Sequence, residues 1–210
     1  MFEIMRRRQR YLWIAGLLAL LGLALIGLQF SSANTYLSQD GIGALGLALS
    51  VALVITALFT WWTSQAAPHG YRYGLTILAS LLFVSLVSGG FYALMSFVAG
   101  WELTPIGIAA LLCVIALAMQ SSLIFLRQAQ ELTLELRPES YDMTITRAIL
   151  ETLQPTVAAR TCGVLVLVAL LATGARAIQQ PAAIFLVGTI SEVYAALFLN
   201  GALLTVWREK

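Results

Sequence analysis

The sequence predicts an all-α, polytopic membrane protein in which six transmembrane helices form a single domain over residues 1–210. Two observations predict this class. Hydrophobic residues make up 60% of the chain and charged residues only 10%, whereas charged residues are about a quarter of a soluble domain. The apolar residues also fall into long runs, and six spans of about 20 residues each would use most of the chain. Little length then remains for a folded domain outside the membrane.

Six apolar runs define the expected spans. We place them at about 11–29, 41–60, 73–90, 104–126, 160–176 and 181–206. The first run follows a basic head, as in a signal peptide, but it is too long for the apolar core of one. We therefore interpret it as an uncleaved span. The small residues at 31–33 leave cleavage there open as the alternative.

A polar segment at 127–159 separates spans four and five. Arg127 and Glu131 are spaced i, i+4, and Ile145, Ala148 and Ile149 fall on one helical side. This pattern favours short cytoplasmic helices at the membrane interface. A solvated loop with fraying helicity is the alternative.

Local signals indicate where two spans begin or bend. Ser88, Gly89 and Gly90 predict that span three ends or bends near residue 90. Thr104 and Pro105 are the residue types expected at the N-cap and first position of span four.

Span two contains a candidate helix-packing face. Ala44, Ala48 and Ala52 repeat every four residues, and small residues at this spacing let a second helix approach closely. Ordinary filler in a helix rich in alanine and glycine is the alternative.

The distribution of positive charge predicts the orientation. With six spans, eleven of the twelve Lys and Arg residues lie on one side, and Arg176 lies on the other. Because short loops rich in Lys and Arg stay in the cytoplasm, we expect both termini to be cytoplasmic. The membrane would be the plasma (inner) membrane or an internal energy-transducing membrane such as the thylakoid.

Span six carries an acidic residue, Glu192, near its middle. A charge at the bilayer centre costs about 2.5 to 3.5 kcal/mol on insertion scales, so such a group is expected to face the bundle or a partner. Three roles stay open for Glu192: a hydrogen bond that packs helices, contact with a partner protein, or a proton or ion relay.

Three more polar residues lie near the inner surface. Gln120 and Ser121 are in the inner half of span four, and Arg160 begins span five. Arg160 can extend to water as an anchor. Alternatively, it can reach back to Gln120 or another buried acceptor.

No pattern in the chain indicates catalysis or cofactor binding. The sequence has no phosphate-binding loop, metal-ligand pair or nucleophile motif in a fitting context. His69 is the lone histidine, so we expect a solvated loop residue. Cys113 and Cys162 lie in apolar runs, where a thiol is most often a small buried hydrophobe. We expect no enzyme activity, cofactor or metal, and the net charge of +2 gives no case for nucleic acid.

Four segments resemble the membrane part of the protein-export subunit SecF, in the SecD/SecF family. They are GWELTPIGIAALL (100–112), IFLR (124–127), ITRAILETLQ (145–154) and FLVGTISEVYAALF (185–198). Their order and spacing agree with the family from about residue 41 to the end. The resemblance implies a SecF/RND-like helical bundle that works within a larger membrane complex.

The chain departs from the family pattern at the positions that the resemblance links to proton coupling. The family's Asp in span four falls at Gln120, its His-Asp pair in span three falls at Phe83 and Val84, and its Arg before span five falls near Pro155. The large periplasmic domain that follows span one in the family corresponds to the ten residues 31–40.

Two functions are therefore considered. The first is a non-catalytic accessory or subunit in membrane-protein translocation, insertion or complex assembly, without its own proton-coupling site. Its partners would be other integral membrane proteins and the lipid bilayer. The alternative is a small transporter or channel with a polar path near Glu192 and Gln120.

Overall fold

The structure, a computed structural model, describes residues 70–102, 104–135, 141–174 and 176–208. The predicted spans at 11–29 and 41–60, with Ala44, Ala48 and Ala52, lie outside these residues, as does His69. The described residues form helices and no strand. The helices are α1 (Gly70–Ala99), α2 (Pro105–Glu135), α3 (Tyr141–Thr173), α4 (Arg176–Tyr194) and α5 (Asn200–Arg208), with a π-helical turn, Ala195–Leu199, joining α4 to α5.

Four stretches of helix in the described residues are long and apolar enough to cross a membrane. They are Arg72–Ala99, Ile106–Thr133, Met143–Thr173 and Ile178–Val206, the last of which runs through the π turn. The chain is therefore an all-helical, polytopic membrane protein. These four correspond to spans three to six, and the other two of the six predicted spans belong to the undescribed part.

Helix α1 continues past the point where the sequence predicted an end or bend. Ser88 and Gly90 are buried, as are Tyr92 and Ala93, and Tyr92 packs in a small apolar cluster with Ala110, Leu111 and Ile184. Glycine has a weak helix propensity. Its lack of a side chain allows close packing here, and this packing compensates for the weak propensity. The helix instead ends before Gly100, whose φ of 64° is the left-handed conformation common after a helix C-terminus.

Helix α2 begins as the sequence predicted. The Thr104 side-chain oxygen accepts a hydrogen bond of 3.1 Å from the Gly107 backbone N–H, and the Thr104 carbonyl accepts one of 3.0 Å from the N–H of Ile108. Thr104 is thus the N-cap and Pro105 the first helical residue, which confirms both assignments.

The predicted short cytoplasmic helices are instead the ends of α2 and α3. Helix α2 runs nine residues past position 126, and α3 passes through Pro155 and the expected boundary at residue 160 without a break. Packing between the two ends accounts for this, because Ile145, Ala148 and Ile149 are fully buried in the main core. The carbonyl that Pro155 leaves without a helical donor belongs to Glu151, an exposed residue, where it can be solvated.

Helices α2 and α4 approach each other closely next to the site. A Cβ added to Gly188 would lie 2.4 Å from a Val114 methyl carbon, so only glycine fits there. This contact brings the next turn of α4, which carries Glu192, against α2.

The apolar half of α3 is the exception to this packing. No residue from 153 to 174 is buried, whereas about half of the apolar stretch in each of the other three spans is buried. The two cysteines also differ from the expectation. Both Cys113 and Cys162 are exposed on the outside of the bundle, because each lies on the helical side away from the core.

Candidate functional site

The candidate site is a buried ion pair that joins three helices. Glu192 on α4 is 1% exposed, and its Oε1 atom accepts a hydrogen bond of 2.9 Å from Nη2 of Arg160 on α3. Ser121 on α2 donates a second hydrogen bond to the same carboxylate oxygen. The Arg160 Nη2 also donates to the Ser121 hydroxyl at 2.9 Å, which closes a triangle of polar groups inside the bundle.

Helical periodicity brings these groups together. On α4 the buried positions Ile184, Gly188, Ser191 and Glu192 follow the i, i+4, i+7, i+8 pattern of one inward face. Helix α2 presents Ser121 on the face that also buries Phe125. The acidic residue therefore faces the bundle interior, as expected for an ionisable group in a membrane helix.

A second hydrogen bond extends the polar layer to α1. The hydroxyls of Ser80 and Ser122 lie 3.1 Å apart, and both side chains are buried. Ser122 follows Ser121 directly in the chain. All four spans are therefore linked by hydrogen bonds at one level of the bundle.

Some hydrogen-bonding atoms of the ion pair have no partner among the described residues. The second carboxylate oxygen of Glu192, Oε2, is buried and has no hydrogen-bond partner among the described residues. The side chain of Arg160 is 24% exposed, and in the described part of the chain its hydrogen bonds all run through Nη2. Its Nε and Nη1 atoms have no hydrogen-bond partner among the described residues.

A cavity of about 400 Å³ lies beside Arg160. It is an open cavity whose lining residues come from α2, α3 and α4. Its lining is apolar apart from Arg160 and Thr189, and the Thr189 hydroxyl donates to the carbonyl of Phe185 on its own helix. The cavity therefore has one cationic end and apolar walls.

The residues singled out in the sequence separate into two groups. Glu192, Ser121 and Arg160 meet, whereas the Gln120 side chain is exposed and faces away from them. Of the two options for Arg160, the structure has the one in which it reaches a buried acceptor. That acceptor is Glu192 with Ser121, not Gln120.

The positions that depart from the family pattern are apolar or exposed. Phe83 and Val84 are buried in the main core, and the ring of Phe83 lies 5.8 Å from that of Tyr194. Pro155 is exposed on α3. Among the described residues, no three His, Cys, Asp or Glu side chains are grouped to hold a metal ion.

Sequence reasoning missed several polar contacts. Ser80 gave no signal beyond a hydroxyl in an apolar run. At the polar end of the bundle, Glu151 accepts hydrogen bonds of 2.9 Å from Arg147 and Gln128, which joins α3 to α2. The i, i+4 spacing of Arg147 and Glu151 was the available signal for that pair. Asn200 is fully buried, and neither polar atom of its side chain has a partner among the described residues.

The fold and site define a polytopic helical membrane protein whose spans enclose an arginine–glutamate pair. The chain belongs to the family described as "Protein export membrane protein SecD/SecF, C-terminal", whose family model matches residues 20–210. The resemblance drawn from the four sequence segments is thereby confirmed.

Similar proteins were found by sequence and by structure. The chain is 23% identical over 181 residues to "Protein translocase subunit SecF" of Anaerolinea thermophila, which covers 86% of this chain and 59% of that protein. It is 27% identical over 142 residues to the protein of the same name from Thermobaculum terrenum, which covers 68% of this chain and 45% of that one. The chain thus spans about half the length of these curated relatives.

A solved structure shares the fold. The crystal structure of SecDF in its super-membrane-facing form superposes with a TM-score of 0.70 at 22% identity. The match covers 82% of this chain and 22% of the SecDF chain.

Proposed function

We propose that the chain is a subunit of a membrane complex for protein translocation, insertion or assembly, and that it binds another integral membrane protein through α3. Membership of the SecD/SecF family and the names of its relatives support the translocation setting. The exposed apolar half of α3 is the observation that carries the proposal of a partner.

The partner surface is one side of α3. Val157, Leu165 and Val168 are 41%, 64% and 48% exposed, and their spacing of eight and three residues places them on one helical face. Lipid tails are as apolar as leucine, so exposure to lipid alone is no instability. The contrast within the chain is what favours a protein partner, because the other three described spans each bury about half of their apolar stretch.

In this proposal the chain has no proton-coupling site of its own, and Glu192 has a packing role. Its carboxylate oxygen Oε1 already accepts hydrogen bonds from Ser121 and Arg160 of the same chain. Glu192 is also buried, which puts it out of reach of a partner on the outer side of α3. A structural hydrogen bond is the role that this geometry supports best.

Co-purification from a mild-detergent extract tests the proposal. We expect the tagged chain to recover at least one other integral membrane protein, and Leu165→Trp to reduce that recovery. Leu82→Trp is the matched control, because Leu82 is 49% exposed on α1. A chain that migrates alone from the first extraction, or equal recovery with both variants, would contradict the proposal.

The alternative of a small transporter has less support. A polar path would need Gln120 and Glu192 to line one passage, but Gln120 is exposed on the outside. Flux assays in liposomes that contain the purified chain test this alternative, and substrate-dependent uptake would favour it over a subunit role.

The orientation and the membrane are part of the same proposal. Of the arginines in the described helices, Arg72, Arg127 and Arg147 lie at one end of the bundle, called the basic end below, whereas Arg176 begins α4 at the other end. With both termini at this end in the cytoplasm, the chain would occupy a plasma (inner) membrane or an internal energy-transducing membrane such as the thylakoid. Protease protection of a C-terminal tag in sealed membrane vesicles of known sidedness tests the orientation.

A further inference from the structure

We propose that the cavity beside Arg160 is a binding site for one phospholipid, with an acyl chain in the cavity and the phosphate at the guanidinium. This site is separate from the surface of α3 that the proposed function assigns to a partner. Its walls come from Leu117, Gly163, Val166, Leu167 and Phe185, with Arg160 at one end.

The shape of the cavity suits a hydrocarbon chain. It holds about 400 Å³, is open to its surroundings and is lined by residues of α2, α3 and α4. A Cβ placed on Gly163 would meet no atom within 4 Å, so the α3 wall is set back at this position. Water does not favour an apolar cavity of this kind, because it finds no hydrogen-bond partners there. In a bilayer the adjacent material is the acyl chain, which gains dispersion contacts by filling the space.

Arg160 supplies the polar end of the site. All of its hydrogen bonds to described residues use Nη2, and 24% of its side chain is exposed. The Nε and Nη1 donors therefore need acceptors in a region where unpaired polar groups are costly. A phosphate is the acceptor that a bilayer provides, and guanidinium binds phosphate with two parallel hydrogen bonds.

The depth of Arg160 agrees with contact to a headgroup. Along α3, Glu151 lies roughly 14 Å from Arg160 towards the basic end, at 1.5 Å per residue. In the other direction the helix continues for roughly 20 Å to Thr173. The hydrocarbon core of a bilayer is about 30 Å thick, so Arg160 lies nearer to the membrane surface at the basic end. A lipid phosphate at that surface can contact its side chain.

The cavity runs from this point towards the opposite face. Leu167 lies roughly 10 Å along α3 from Arg160 in the direction of Thr173. An acyl chain that extends from a phosphate near the basic face would follow the same direction. The polar and apolar parts of the site are thus in the order in which a phospholipid presents them.

The partner surface and the lipid site occupy different sides of α3. Leu165 and Val168 lie on one side, and Gly163 and Val166 lie on another, about 100° or more away around the helix. A substitution at Gly163 can therefore alter lipid binding while the partner surface stays intact.

Native mass spectrometry of the full-length chain tests the site. Dioleoyl phosphatidylglycerol is titrated into protein purified in mild detergent, and dioleoylglycerol, which has the same chains without phosphate, is titrated in parallel. We expect one phosphatidylglycerol to bind much more tightly than further copies and more tightly than dioleoylglycerol. Equal binding of the two lipids would overturn the role of Arg160.

A substitution that fills the cavity gives the second measurement. Gly163→Leu points into open space, so the fold is retained, and we expect the affinity for the first phosphatidylglycerol to fall about tenfold. Ala172→Leu is the matched control, because it enlarges an exposed residue about 180° around α3 from Gly163 and should leave the affinity unchanged. An unchanged affinity in Gly163→Leu would contradict the proposal.

Crosslinking separates lipid from other occupants. A phospholipid with a photoreactive group on its acyl chain should label the segment of α3 that contains Val166 and Leu167, and an even spread of label over all the helices would contradict the site. Cys162, which lines the cavity, tests protein occupants in a Cys113→Ser background. A disulfide to a cysteine introduced at Ala48, or between two copies of Cys162, would show that protein fills the cavity. Partner recovery through Leu165 is measured separately by co-purification, so the two proposals can fail independently.

Discussion

Removing one member of the Arg160–Glu192 pair should destabilise the bundle far more than removing both. The side chain of Glu192 is fully inaccessible, and its Oε1 lies 2.9 Å from Nη2 of Arg160. Arg160→Ala would leave a buried carboxylate with Ser121 as its remaining described donor. Breaking a buried pair in this way typically costs about 3 to 5 kcal/mol, because one charge stays uncompensated.

The double variant Arg160→Met with Glu192→Met should lie close to the wild type. Both side chains are then apolar and of similar volume, so the desolvation cost of the two charges disappears together with their attraction. Such replacements are often neutral or stabilising. The coupling energy from a double-mutant cycle, which compares this double variant with the single variants Arg160→Met and Glu192→Met, should therefore be about 3 kcal/mol or more, since the two sites are in direct contact.

Thermal unfolding in mild detergent, followed by intrinsic fluorescence, measures these effects. For a chain of this size 1 kcal/mol shifts Tm by about 2 to 4 °C, so Arg160→Ala should lower Tm by about 6 to 20 °C. Arg147→Ala is the control. Arg147 and Glu151 also lie 2.9 Å apart, but their side chains are 52% and 39% exposed, and such pairs contribute about 0 to 1 kcal/mol. Equal losses in Arg160→Ala and Arg147→Ala, or a double variant as unstable as the sum of the single ones, would refute this account of the pair.

Three further predictions concern single positions and use the same unfolding assay. Gly188→Ala should lower Tm, because its new Cβ would lie 2.4 Å from a Val114 methyl carbon. Adding Val114→Ala to the same chain should restore much of the lost Tm. An unchanged Tm in Gly188→Ala would contradict the close approach of α2 and α4. Asn200→Leu should leave Tm unchanged or raise it. The buried amide of Asn200 has no hydrogen-bond partner among the described residues, and an unpaired buried polar group costs about 1 to 3 kcal/mol. A large fall in Tm would indicate that a water or ion occupies that position. Thr104→Ala should cost about 1 kcal/mol through loss of the N-cap, whereas Thr104→Ser should cost little, and equal losses would argue against capping.

The apolar helices and one helix start could be predicted from the sequence because local signals define them. Long apolar runs are sufficient to identify spans, and a threonine before a proline is a strong N-cap signal at Thr104. The inward orientation of Glu192 followed from the cost of a charge in hydrocarbon. These arguments need no knowledge of which helices are neighbours.

The missed features depend on such knowledge. The sequence predicted that span five begins at about residue 160, after short helices in the polar segment 127–159. Packing of Ile145, Ala148 and Ile149 in the core keeps α3 in one piece. The Ser80–Ser122 hydrogen bond depends on which faces of α1 and α2 meet, and no local pattern contains that information.

The buried side chains of α3 all lie towards its polar end. Ile145 and Ile149 are fully buried there, but no residue of α3 beyond position 152 is buried. Arg160 is the point in the apolar half where α3 forms hydrogen bonds to α2 and α4, through Ser121 and Glu192. The ion pair therefore fixes the position of a helix whose outer side is open. That arrangement explains how a costly intramembrane carboxylate can be useful for binding a partner that Glu192 does not touch. The ion pair sets where the partner surface of α3 lies. The lipid proposed at Arg160 would fill the gap that remains on the other side of the same helix.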